Sequence, residues 1–174
     1  NVGLTMGWVT VTEHEQAVRK AVLRLVQSPN ESSRYMAQQI RDERVLRAPP
    51  RLAAADLPAD FTRRPDLLEL LGLLGISEQG IVDRMVEHLA DRDESSIANR
   101  QALTLMQPSR SQVERMLGIL AASTDDETQA GLVYLLSRVG CSHPGTADAV
   151  AALAASGHLQ PVAKEQYEAS RTEL

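Results

Sequence analysis

The chain has 174 residues, of which 43% are hydrophobic and 3% aromatic, and a formal net charge of −5. This length and apolar content fit a single domain, 1–174, with a sizeable core, and they exclude global disorder. The charge is uneven, because 10 basic and 7 acidic side chains give residues 1–64 a net +3, whereas 8 basic and 16 acidic side chains give residues 65–174 a net −8.

The N-terminal part is predicted to be an extended arm, or alternatively one short strand, followed by a helical hairpin. In residues 1–11, apolar residues alternate with polar residues or glycine, which is typical of extended chain. A capping box of Thr12 and Glu15 opens the hairpin, 12–46, and Pro29 separates its two helices.

A proline-rich stretch, 47–65, is predicted to be a loop. Its four prolines forbid a long helix, although residues 52–56 have room for one helical turn. Long connections inside a domain are often functional. The helix that follows, 66–74, is apolar on nearly every side, so we expect it to be central and buried, with Gly75 ending it.

Three similar segments then recur at a nearly constant spacing. Residues 82–90 return 31 positions later as residues 113–121, and residues 147–155 are a version with smaller side chains 33 to 34 positions further on. Such a period usually indicates stacked helical hairpins. In each of the first two units an acidic turn, 91–94 or 124–127, leads into a second helix with its own apolar stripe.

Capping residues, glycines and prolines set the limits of the later helices. Helices are predicted at 77–90, 94–106, 110–122, 126–139, 145–156 and 161–170. We expect capping boxes at Ser111–Glu114 and Thr124–Glu127. Ile97 and Leu105 are expected to belong to the buried stripe of the helix 94–106.

This pattern resembles the HEAT/armadillo class of α-helical repeats over residues 66–156 and, less clearly, over 12–46. We predict an all-α protein of about eight or nine helices. The resemblance implies stacked antiparallel helix pairs in an α-solenoid, with 157–174 as a C-terminal capping helix. An irregular helical bundle is the alternative, because the amphipathic helices of a bundle also resemble one another.

Acidic residues occupy equivalent turns of successive repeats, and in a stacked solenoid they would lie along one edge. We name this set the acidic ridge: Asp91, Asp93, Glu94, Asp125, Asp126 and Glu127. One interpretation is that these residues face water and complement the helix dipoles. The other is that they bind a basic partner, and both can hold at once.

Arginines form a second charged feature. Arg34, Arg41 and Arg44 share one face of a helix, and Arg63 and Arg64 follow in the proline-rich loop. Arginine binds carboxylates and phosphates bidentately, so the set predicts a contact with an anion or a partner. A solvated helix face is the alternative.

Side chains suited to catalysis or metal binding are scattered along the chain. The four histidines are widely spaced, and Cys141 is the single cysteine. A run that starts like a calcium loop at Asp91 has Ser96 and Ala102 where glycine and glutamate are needed. We therefore predict no catalytic residues, no metal and no cofactor.

The leading functional hypothesis is a non-enzymatic protein–protein interaction module: an adaptor, a scaffold, a regulatory subunit or a neutralising partner of another protein. The alternative is an enzyme or an anionic-ligand-binding domain with its site at the arginine-rich region 41–64. The acidic residues 65–174 argue against nucleic acid as a partner. No apolar run approaches the ~20 residues of a membrane span. A lone cysteine favours the cytoplasm, with export after removal of a signal as the alternative.

Overall fold

The structure, a computed structural model, describes residues 11–42 and 51–171. Within these ranges it contains nine α-helices and no strand, which confirms the all-α prediction. The helices are α1 (Val11–Gln27), α2 (Glu31–Asp42), α3 (Pro65–Leu73), α4 (Gln79–Glu87), α5 (Glu94–Leu103), α6 (Arg110–Ala122), α7 (Asp126–Val139), α8 (Thr146–Ala155) and α9 (Pro161–Ser170). None of them is both long and apolar enough to cross a bilayer.

Several predictions concern residues outside the described part of the chain. The arm falls there up to residue 10, as do residues 43–50 of the predicted hairpin and loop. The side chains of Thr12 and Glu15, which form the first predicted capping box, are also outside it.

Two predicted capping boxes are wrong by one or two positions. At α6 the amide of Ser109 donates to Gln112 Oε1 over 2.8 Å, whereas Glu114 pairs with Arg110 over 3.0 Å. At α7 the cap is Asp125. Its carboxylate accepts from both the amide and the hydroxyl of Thr128, at 2.9 and 2.6 Å, and aspartate is a preferred N-cap residue.

Seven of the helices form two rows. In the odd row, α3 packs on α5, α5 on α7 and α7 on α9. In the even row, α4 packs on α6 and α6 on α8, and the rows meet where α4 contacts α5, α6 contacts α7 and α7 contacts α8. The three similar sequence segments fall on α4, α6 and α8, so they all belong to the even row. Helices α1 and α2 both contact α3.

Helix α3 lies at the centre of the core, as its sequence predicts. Four of its leucines are fully buried: Leu67, Leu68, Leu70 and Leu71. The described part of the proline-rich stretch, 51–64, packs onto the same core through the buried side chains of Leu52, Leu57 and Phe61. The guanidinium of Arg84 lies 4.7 Å from the centre of the Phe61 ring, so α4 holds this stretch in place.

Buried amide side chains join elements that are distant along the chain. Gln112 donates to the carbonyl of Gln79 and to Asp83, which lie 33 and 29 residues earlier. Gln129 accepts from the amide of Gln160, 31 residues later, over 2.8 Å. Both glutamines are almost fully buried. A buried polar group is costly unless it is hydrogen-bonded, so these contacts specify how one helix pair sits on the next.

Candidate interaction surface

The two rows differ in what their outer faces present to solvent. Within residues 51–171, the exposed large hydrophobic side chains are Ile97, Leu105, Tyr134 and Val162. Ile97 lies on α5, Leu105 on the turn that ends it, Tyr134 on α7 and Val162 on α9. All four therefore belong to the odd row, and the described side chains of the even row contribute none.

The even row is covered instead by ion pairs between its own helices. Arg115 of α6 donates to Asp83 of α4 over 2.9 Å and to Glu87 over 3.4 Å. Arg110 pairs with Glu114 on the outside of α6 over 3.0 Å. These charged residues of α4 and α6 thus find their partners within the protein.

Arg100 of α5 and Gly131 of α7 are in close contact where the two helices pack together. A Cβ atom at Gly131 would lie 2.5 Å from Arg100 Nε, so only glycine allows the arginine to cross α7 here. Arg92 also pairs with Asp125 over 3.4 Å beside the starts of the two helices, which shows that they run in parallel. The burial of Arg100 lowers its pKa, and the carboxylates of Asp125 and Glu127 oppose this effect.

Ile97 and Tyr134 stand one helical turn from this contact, on the outer sides of neighbouring helices. Ile97 precedes Arg100 by three residues, and Tyr134 follows Gly131 by three. Ile97 is 50% exposed and Tyr134 is 40% exposed. The guanidinium of Arg138 lies 5.4 Å from the centre of the Tyr134 ring. The two side chains therefore flank a shallow strip whose floor is the glycine and the arginine stem.

The acidic ridge lies at the N-terminal ends of α5 and α7, and four of its six members have structural partners. Asp93 caps α5 by accepting from the amide of Ser96 at 3.0 Å and from the hydroxyl of Ser95 at 2.6 Å. Asp125 caps α7. Hydrogen bonds from Ser95 to Asp93, and from Thr128 to Asp125, lower the pKa values of both carboxyls.

The other two structural members link different elements. Asp91 lies 2.7 Å from the Nδ1 atom of His88. Asp126 accepts from the amides of Val162 and Ala163, at 3.1 and 2.9 Å, and so caps the start of α9 from α7. Helix capping therefore accounts for Asp93, Asp125 and Asp126, whereas Asp91 pairs with His88.

The last two members of the acidic ridge are Glu94 and Glu127. Both are exposed, and neither makes a hydrogen bond or an ion pair with any residue that the structure describes. They lie in the first turns of α5 and α7, on the row that also carries the exposed apolar side chains. The structure thus separates the ridge into four carboxylates that hold the fold and two that face solvent.

The arginines of the alternative hypothesis have separate acidic neighbours. Arg34 pairs with Glu69 over 2.9 Å, and Arg64 lies 3.6 Å from Asp66. The side chain of Arg41, and all of Arg44, fall outside the described residues. Arg63 lines an open depression of about 320 Å³ with Pro65, Asp93, Glu94 and Ser95. Because two of these neighbours are carboxylates, the depression is poorly suited to an anion.

The apolar side chains of this surface were not predicted from the sequence. Ile97 and Leu105 were expected to belong to a buried stripe, and that expectation is wrong because both are exposed. The buried face of α5 comprises Asn99, Ala102 and Leu103, whereas Ile97 and Leu105 follow a separate i, i+4, i+8 line through the exposed Gln101. That line was the available signal, since a helix with apolar residues on two faces has more than one partner surface.

Among the described residues, no group of three or more His, Cys, Asp or Glu side chains is placed to hold a metal ion. Comparison with known protein families, with curated proteins and with solved structures finds no significant match to this chain.

Proposed function

We propose that this protein is a non-enzymatic protein-binding module built as a HEAT-like solenoid. The packing of the two rows supports the solenoid, because each helix contacts the helix two places along the chain. The buried amides that join residues about one repeat apart support it as well. Stacked repeats of this kind form extended surfaces, and many of them serve to bind other proteins.

The difference between the two outer faces is the observation that carries the proposal. On the even row, the charged residues of α4 and α6 form ion pairs with one another. The odd row presents four large apolar side chains to solvent, together with Glu94 and Glu127, which form no ion pair with any described residue. A single exposed hydrophobic residue is ordinary. Several on the same row, with charged residues at its edge, are typical of an interaction surface.

The test is recovery of a partner followed by reconstitution from pure components. The tagged chain purifies bound proteins from the cells in which it occurs, with the tag alone as the control. Each recovered protein is then produced separately and titrated against the chain by calorimetry. We expect at least one to bind saturably without any added small molecule. The proposal fails if no recovered protein binds the purified chain.

A further inference from the structure

We infer, on the basis of the proposed function, that the partner docks on the α5–α7 face as an amphipathic helix with basic residues beside its apolar stripe. We define the α5–α7 face by Glu94, Ile97, Glu127 and Tyr134. In this arrangement, apolar side chains of the partner contact Ile97 and Tyr134, and lysine or arginine side chains contact Glu94 and Glu127.

The apolar part of the argument rests on the strip between the two helices. Ile97 and Tyr134 flank the site where Arg100 crosses Gly131, which has no side chain to fill the space. Packed helices lie roughly 8–10 Å apart, and one turn of helix spans about 5.4 Å. Ile97 lies one turn before this contact and Tyr134 one turn after it, so a helix laid along the strip can place apolar residues at i and i+7 against the two side chains.

The charged part of the argument rests on a contrast with the even row. There, Asp83, Glu87 and Glu114 are each paired with an arginine of the same row. Glu94 has no such partner among the described residues, and Glu127 makes no hydrogen bond or ion pair there, although its charge acts on Arg100. Both lie in the first turns of the helices that carry Ile97 and Tyr134. Complementary charge at the rim of an interface fixes the orientation of a partner and speeds its association.

Charge also decides between classes of partner. Residues 65–174 carry 8 basic and 16 acidic side chains, a net of −8. Nucleic acids and anionic membranes would be repelled by a region of this net charge. A basic helix would be attracted to it, and its apolar stripe would cover side chains that are now in water.

The experiment measures binding of two synthetic helical peptides, one of leucine and lysine and one of leucine and glutamate, by fluorescence anisotropy. We expect the leucine–lysine peptide to bind more tightly, with an affinity that falls as salt rises. The double variant Ile97→Ser/Tyr134→Ser should weaken binding about tenfold at every salt concentration. The double variant Glu94→Gln/Glu127→Gln should weaken it about threefold at low salt, and its affinity should depend less on salt.

Two control variants match these changes elsewhere on the molecule. Tyr35→Ser/Met36→Ser alters exposed apolar residues of α2, which are 67% and 53% exposed. Asp148→Asn removes an exposed acidic residue from the first turn of α8, in the even row. Both controls should bind the peptide as the unaltered chain does. All the substituted side chains are at least partly exposed, and thermal unfolding verifies that each variant is folded.

Three outcomes would overturn the inference. One is equal binding of both peptides, and another is a larger loss with the α2 control than with the α5–α7 variants. The third is binding of a DNA duplex or of phosphatidylserine vesicles in place of the leucine–lysine peptide. The proposed function is tested separately, by titration of a recovered partner against the purified chain. A partner that binds the α5–α7 variants as well as the unaltered chain would support the proposed function but would place the interface outside the α5–α7 face.

Discussion

The two helix rows present different outer faces to solvent. On the even row, Arg115 joins the acidic residues of α4 and fixes the position of the next helix. On the odd row, the helices approach through glycines, and longer side chains such as Ile97 and Tyr134 point outward. Ion pairs thus cover α4 and α6 of the even row, whereas the proposed function lies on the odd row, where large apolar side chains remain exposed to solvent.

The rows also differ in how closely their helices approach. A Cβ atom at Gly72 of α3 would lie 2.9 Å from the Cα of Ala102 in α5. Gly118 of α6 has nothing within 4 Å of the same atom. Glycine is thus required for packing in the odd row but only occupies an open position on α6.

The largest expected effect is the loss of stability on truncating a buried side chain, compared with the loss on truncating an exposed one. Leu120 of α6 is fully buried in the core, so Leu120→Ala should lower the free energy of unfolding by about 2–5 kcal/mol through the lost contacts and the cavity. Ile97→Ala, on the half-exposed side of α5, should cost well under this amount. Urea denaturation of both variants provides the comparison. Equal losses would mean that Ile97 supports the core.

The second effect concerns close packing in the odd row. Gly72→Ala forces a methyl group against the backbone of Ala102, which cannot rotate away as a flexible side chain could. We expect a loss of about 1–3 kcal/mol, typical of overpacking. Chemical denaturation measures this loss. An unchanged stability would show that α3 and α5 have room to separate.

Local signals were sufficient to predict much of the helical structure. Helices α6, α7 and α9 have the predicted limits, because caps, helix-breaking residues and a period of 3.6 act within a few residues. The caps themselves depend on competition between neighbours, and Asp125 displaces Thr124 for that reason. The all-α class follows from these elements without knowledge of their packing.

Tertiary contacts explain what the sequence analysis could not predict. Asp126 caps a helix that begins 35 residues later, and nothing near it in sequence indicates that role. Phe61 lies in a proline-rich stretch that was predicted as a loop, yet it is fully buried under α4. The exposure of Ile97 depends on which side of α5 meets α3 and α7, and a single helix does not encode this.

The third effect is the pH dependence of a cap on the odd row. The folded pKa of Asp93 is lowered below its ordinary value of 3.8 by the Ser95 hydroxyl and the Ser96 amide. Its contribution is therefore complete above about pH 4 and is lost as the pH falls through the lower folded value. Asp93→Ala should cost about 1 kcal/mol at neutral pH.

Asp93→Asn provides the matched control for that prediction. Asparagine also caps helices, so this variant should keep most of the stability at neutral pH. It cannot titrate, so its melting temperature should fall less than that of the unaltered chain between about pH 5 and pH 2. Parallel curves for the two proteins would show that the Asp93 carboxylate does not couple to folding.

The smallest expected effect is a gain in stability, produced by a substitution on the even row, away from the proposed docking surface. Gly118 is exposed on α6, and the space around its Cβ position is open. Gly118→Ala should therefore stabilise the protein by about 0.5–1 kcal/mol, because alanine restricts the unfolded chain and favours helix. Calorimetry should show a melting temperature higher by about 1–4 °C. Because the proposed docking surface lies on the odd row, binding of the leucine–lysine peptide should not change. A weaker interaction with that peptide would indicate that the outer face of α6 takes part in recognition.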